Sequence, residues 1–191
     1  FGATVTLQPT ADTSLFETNP DSNLGATDLA SGTTAKAKKS RALIYFDLAG
    51  QLPSGATITS AELSLRVTKA PPGAVPSTFG LHRVLKVWGE GTQSGLIGDP
   101  AAPDEATWNA RLFPATLWSA PGAAAPADFV AKASGTRQIA GAGNFTFAST
   151  ADLVADVQGW LANPQSNFGW ILISQSEGVN RTARRFGSAE D

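Results

Sequence analysis

The chain has no cysteine and no methionine, and only one histidine and one tyrosine among its 191 residues. The first absence removes disulfides, thiolate metal sites and cysteine nucleophiles together. A single histidine, His82, leaves a Ser-His-Asp arrangement with one place to stand, and no G-x-S-x-G elbow accompanies it. Charge is scarce too. Asp, Glu, Lys and Arg make up 16% of the residues and the formal net charge is −2, so nothing draws the chain generally to nucleic acid or to anionic lipid. No apolar run approaches the roughly 18 residues of a membrane-spanning helix. Phe1 in place of a methionine reads as a processed or trimmed start.

What is present is the vocabulary of strands and turns. Hydrophobic residues reach 42%, with 19 glycines and 12 prolines, and the length suits one substantial core in a single domain over 1–191. In "AELSLRVT", Leu63, Leu65 and Val67 alternate with Glu62, Ser64, Arg66 and Thr68, which predicts a strand with one core face and one wet face. "ATVTLQ", with Val5 and Leu7, alternates in the same way. "RALIYFDL" and "FGWILIS" are apolar on nearly every position and predict central strands, and "FGLHRVLKVW" predicts another strand. Turns are written at Pro53–Gly55, Pro71–Gly73 and Gly141–Gly143. The expected fold is all-β, a jelly-roll-like antiparallel sandwich.

One amphipathic helix interrupts this pattern. "STADLVADVQGWLANP" predicts a helix over about 150–162, with Ser149 and Asp152 as its capping box. Leu153, Val154, Val157, Trp160 and Leu161 form its apolar stripe, and Asn163 and Pro164 stop it. Residues 89–127 form a long irregular insertion that contains Trp108 and Trp118 and follows Trp88. It is expected to be either a functional loop system or a lid across one end of the sandwich.

"ADTSLFETNPDSNLGATDLASG" places Asp12, Asn19, Asp21, Asn23 and Asp28 in a segment expected to run over the surface. Oxygen ligands without His or Cys leave calcium as the cation such a stretch could hold, with Asp12, Asn19, Asp21 and Asn23 as ligands. Leu24 interrupts the EF-hand spacing, and Asx side chains also build ordered turns, so the structural reading takes precedence over a bound Ca2+.

Two basic stretches stand apart, "KAKKSR" with Lys36, Lys38, Lys39 and Arg41, and "RTARR" with Arg181, Arg184 and Arg185. The first is read first as a solvated turn, while in the second, alternation with small residues and Phe186 lets Arg184 face opposite to Arg185. If both meet on one face, with Lys36, Lys38, Lys39, Arg41 and Arg184 turned outward, an anionic ligand such as an acidic polysaccharide gains weight. Glu90, Asp99, Asp104 and Glu105 crowd the insertion and are the carboxylates a glycosidase would need, though loop carboxylates are ordinarily solvated. Trp160 and Trp170 are assigned to the core. Burial is also expected for Trp88, Trp108 and Trp118, over a sugar-stacking role. Asn144 and Asn180 sit in N-x-T sequons.

Several of these segments, taken in order, resemble the DNRLRE family of extracellular modules, some of which are classed as carbohydrate-binding and occur in exported proteins of the PEP-CTERM type. The resemblance is carried by the opening stretch, "SRALIYFDLAGQLPSGATITSAELSLRV", "VWGEG", "EATWNARL", "LVADVQGWLANPQSNFGWILIS" and "ARRFGSAED". It implies a non-catalytic module at the cell surface or in the extracellular matrix, attached to polysaccharide, with Trp108 and Asn109 pinning the insertion. It also implies a final apolar strand beyond Asp191. A neighbouring copy could fill that place with "FGATVTLQ", through Val5 and Leu7, which makes a self-assembling filament subunit the second expectation. A polysaccharide-active enzyme is the third.

Overall fold

The computed structural model describes residues 2–189. Its strands are β1 (Ala11–Phe16), β2 (Ser22–Asn23), β3 (Leu29–Thr33), β4 (Lys39–Tyr45), β5 (Leu63–Lys69), β6 (Ser77–Arg83) and β7 (Asp99–Pro100). They continue with β8 (Ala110–Leu112), β9 (Thr116–Leu117), β10 (Gly135–Ile139), β11 (Gly143–Phe147), β12 (Trp170–Ser174) and β13 (Arg184–Phe186), and the helix α1 spans Ala151–Ala162. The start at Phe1, the last two residues of "ARRFGSAED" and the expected further strand lie outside the described residues.

Among the described residues, nine strands form one antiparallel ladder in the order β10-β6-β12-β4-β3-β13-β5-β11, with β1 on the other edge of β4. The ladder folds over at the β3–β4 hairpin, where Thr33 pairs with Lys39 and Gly32 with Ser40. The two halves therefore face each other as a nearly closed all-β sandwich. Ala42, Ile44, Phe79, Leu81 and Leu172 from one half meet Leu29, Leu65, Val67, Phe147 and Phe186 from the other. Phe79 and Phe186 meet edge to face at 5.6 Å.

The two continuously apolar strands have a direct explanation. Ala42 and Ile44 of β4, and Trp170 and Leu172 of β12, enter the core between the halves. Leu43, Ile171 and Ile173 face the opposite way, into a second cluster with Trp108, Trp118 and Phe129. The insertion thus lies across the outer face of this half rather than capping an end, and each strand is buried on both sides. By contrast, β5 keeps Ser64 and Arg66 in solvent, as its alternation predicts.

Three local expectations are corrected. The "ATVTLQ" segment joins no ladder among the described residues. Val5 is exposed, while Leu7 packs against the main core. The strand begins instead at Ala11, inside a stretch expected on the surface, because its short polar groups find partners indoors. Ser14 Oγ accepts from Ala30 N at 2.8 Å and Thr13 Oγ1 accepts from Asn23 Nδ2 at 3.2 Å. The helix cap is Thr150, whose hydroxyl accepts from Leu153 N, while Ser149 Oγ accepts from Ala61 N.

A charged residue also sits on the helix's apolar stripe. Asp156 is buried and accepts hydrogen bonds from Ser134 Oγ and from Trp170 Nε1 at 2.8 Å, with Arg83 Nε 3.1 Å away. It clamps the helix to β12 and β6.

Candidate anion-binding surface

The turn between β3 and β4 is organised by Thr34, whose hydroxyl accepts from the backbone N–H groups of Lys36 and Lys38. This is a Ser/Thr turn, and it sends both lysines into solvent. A second turn, residues 175–183, follows β12 and packs against the first. Arg181 N donates to Thr34 O at 3.4 Å, Asn180 Nδ2 to Ala35 O at 3.3 Å, and Ala183 N to Thr33 O at 3.0 Å. Thr33 closes the junction. Its N–H donates to Thr182 Oγ1 and its hydroxyl to Glu177 O.

The two basic stretches, far apart in sequence, therefore meet at one end of the sandwich. Lys36, Lys38 and Arg181 are exposed and Lys39 is half-buried. The Arg181 guanidinium lies beside Gly73, so positive charge extends from the hairpin toward the Pro71–Gly73 turn. Glu17 is the counter-charge at this end: its carboxylate lies 3.9 Å from Lys38 Nζ and accepts from Lys39 N. Arg41 and Glu177 cancel each other in a close ion pair.

Two of the five cationic positions expected to face a ligand do not face solvent freely. Arg184 is 1% exposed. Its Nη1 donates to the carbonyls of Arg181, Thr182 and Ala183, and its Nη2 to those of Val75 and Ala140. Burial lowers its pKa. Five carbonyl acceptors replace the lost water, so the side chain braces the turn that presents Arg181. Arg41 is held by Glu177 and by the carbonyls of Gly122 and Ala123, with its guanidinium 5.7 Å from the Trp108 ring centre. Arg185 faces opposite to Arg184, lying over Phe16.

The oxygen-rich opening stretch disperses rather than converges. Asp12 is fully buried and accepts from Ala189 N at 2.7 Å. Asn23 Nδ2 donates to Thr13 Oγ1, Glu90 O and Ala106 O, and its Oδ1 accepts from Gly25 N and Gln93 N. That amide ties the corner to the insertion. Asp21 Oδ1 accepts from Asn109 Nδ2, Asn19 O accepts from Ser22 N, and Asp28 Oδ2 accepts from Thr68 Oγ1. Among the described residues no group of three or more His, Cys, Asp or Glu side chains is placed to hold a metal ion.

His82 is 5% exposed. Its Nε2 faces the Gln175 amide at 3.1 Å, which leaves Nδ1 to donate to Val130 O at 3.0 Å. Burial lowers its pKa. Glu105 accepts from Thr92 N, Gln93 Nε2 and Ala102 N, and Glu90 accepts from Asp12 N. Glu105 organises the insertion's own backbone, and Glu90 ties the insertion to β1. Trp108 and Trp118 are buried and the Trp88 indole donates to Phe168 O, so these three build the second cluster.

Comparison with protein-family models and with curated proteins returns no match. Among the described residues no helix is long and apolar enough to cross a membrane.

Proposed function

We propose that the protein is a non-catalytic extracellular module that attaches to acidic polysaccharide or matrix through the end formed by the 34–38 and 175–183 turns. The observation that carries this reading is the hydrogen-bonded meeting of those turns, which groups Lys36, Lys38, Lys39 and Arg181 against Glu17. Exposed ammonium groups recognise carboxylate or sulfate by charge rather than by fixed geometry, so binding is multipoint and sensitive to salt. The Arg184 and Arg41 contacts hold the turns, while Lys36, Lys38 and Arg181 stay exposed.

The test is affinity electrophoresis through polygalacturonate, alginate or heparin, with a neutral glucan as control and with and without a chelator. Retardation by an acidic polymer that weakens with salt is expected. It is lost in a Lys36→Ala, Lys38→Ala, Arg181→Asn variant, where asparagine suits the left-handed backbone at position 181 (φ 64°). Equal retardation of the variant, or none by any acidic polymer, overturns the reading. Loss on chelation assigns calcium a part in it, and release of reducing ends points to an enzyme.

A second reading, self-assembly by strand exchange, is favoured by the segment at residues 3–8, which joins no ladder among the described residues and where Val5 is 45% exposed. It predicts concentration-dependent association in light scattering that Val5→Lys abolishes.

A further inference from the structure

The basic end is wider than its two turns. The strand order β4-β3-β13-β5 sets the ends of these strands side by side: β4 begins there at Lys39, β3 ends there at Thr33, and β13 begins there just after Arg181. β5 runs antiparallel to β13, with Lys69 opposite Arg185, so its last residue reaches the same end. Three strand spacings separate β4 from β5 in this order, a span of roughly 14 Å between Lys39 and Lys69.

The ground between these cations is tied together by backbone. Ala74 N donates to Pro71 O, which closes the turn that follows Lys69, and Val75 N donates to Arg181 O at 3.0 Å. Arg184 links the Val75 carbonyl to those of Arg181 and Thr182. The end of β5 and the turn that carries Arg181 are therefore held in one arrangement.

Charge at this end has a direction. Residues 34–39, 69–76 and 175–183 contain a single carboxylate, Glu177, and Arg41 holds it. Glu17 follows β1, on the edge of β4 that faces away from β3, so the free counter-charge flanks the tract on one side. Lys69 is exposed, and among the described residues Lys36, Lys39, Lys69 and Arg181 make no ion pair. A single sugar ring is too short to bridge Lys39 and Lys69, whereas a linear chain with an anionic group on successive residues meets every cation between them.

We infer that a linear polyanionic glycan lies across the ends of β4, β3, β13 and β5 in that order, from the lysines beside Glu17 to Lys69, its far contact. This rests on the acidic-polymer reading above and adds to it a direction, a minimum length and a residue. Carboxylate and sulfate chains share the chemistry the tract recognises, and the experiment separates them.

Calorimetric titration compares alginate, galacturonate and heparin hexasaccharides, each with its disaccharide, on the wild-type protein, Lys69→Glu and Lys86→Glu. Lys86 is exposed and lies past the far end of β6, so its reversal changes the net charge equally but away from the tract. At least one hexasaccharide is expected to bind more tightly than its disaccharide, and the series that binds identifies the anionic group. Lys69→Glu weakens that hexasaccharide about tenfold, as attraction becomes repulsion, while Lys86→Glu changes it less than about twofold. In the wild-type protein the Lys69 side-chain NMR signals, assigned through Lys69→Ala, shift with the hexasaccharide and not with the disaccharide, which reads the contact without the charge-reversed variant. A disaccharide as tight as its hexasaccharide, equal losses in Lys69→Glu and Lys86→Glu, or unmoved Lys69 signals overturn this inference and leave the acidic-polymer reading standing. No binding of any hexasaccharide overturns both.

Discussion

Arg41 on β4 and Glu177 in the turn after β12 form a two-point ion pair, Nε to Oε1 at 2.7 Å and Nη2 to Oε2 at 2.6 Å. Their side chains are only 14% and 16% exposed. The remaining guanidinium nitrogen reaches the insertion at Gly122 O and Ala123 O, so one side chain joins β4, the second turn and the insertion. Arg41→Met leaves a mostly buried carboxylate alone and is expected to cost about 3 kcal/mol, whereas Arg41→Met with Glu177→Leu costs less than the single change. Urea unfolding of both variants checks the inequality. A double variant as unstable as the single one refutes it.

Asp156 accepts from two buried donors and pairs with Arg83. Asp156→Ala strands the Ser134 hydroxyl and the Trp170 indole together. The expected loss is about 3 kcal/mol, and Asp156→Asn, which keeps an acceptor, loses less. Thermal denaturation of the pair measures the difference.

His82 gives a pH dependence of definite sign. Its folded pKa lies below the ordinary value because burial penalises the imidazolium. Between the folded and unfolded pKa values the unfolded chain binds more protons, so stability is complete above about pH 6.5 and declines as pH falls below it. In His82→Gln, which cannot titrate, the urea midpoint is expected to vary less between about pH 7.5 and about pH 5, the range above most carboxylate titration. Parallel midpoint curves for the two proteins contradict the assignment.

Strand positions were legible where burial is one-sided or complete. Alternation marked Leu63, Leu65 and Val67, and continuous apolarity marked β4 and β12, which are covered on both faces. The helix was legible from Leu153 and Trp160, yet its most consequential residue breaks the pattern. An aspartate on the apolar stripe was itself a signal, since a charge in that place needs partners, but its partners Ser134 and Trp170 cannot be found from spacing. The opening stretch misled for a related reason. Polar composition indicates surface only when the polar groups lack internal partners, and Asp12, Thr13, Ser14 and Asn23 all have them. The basic stretches were visible as composition. Which arginines face outward depends on carbonyls at Val75 and Ala140, contributed by distant segments.

Gly89 offers a test of the insertion's seat. A Cβ there would stand 1.8 Å from Asp104 O, while Gly89 N donates to Arg111 O and Gly89 O accepts from Ala106 N. Gly89→Ala must displace this strap, at an expected cost of about 3 kcal/mol. Red-shifted tryptophan fluorescence, as Trp108 and Trp118 loosen, accompanies the loss. Unchanged emission and stability would contradict the packing described.

The double cover over β12 carries a kinetic consequence. Its backbone is bonded on one edge by β4 and on the other by β6, while the main core lies beneath it and the tryptophan layer above. Deuterium in the solvent has no local route to these amides, because opening either cover leaves the other and both ladders in place. The amides of Ile171 and Leu172 therefore exchange only when the whole chain opens, and their exchange rates report the global unfolding free energy.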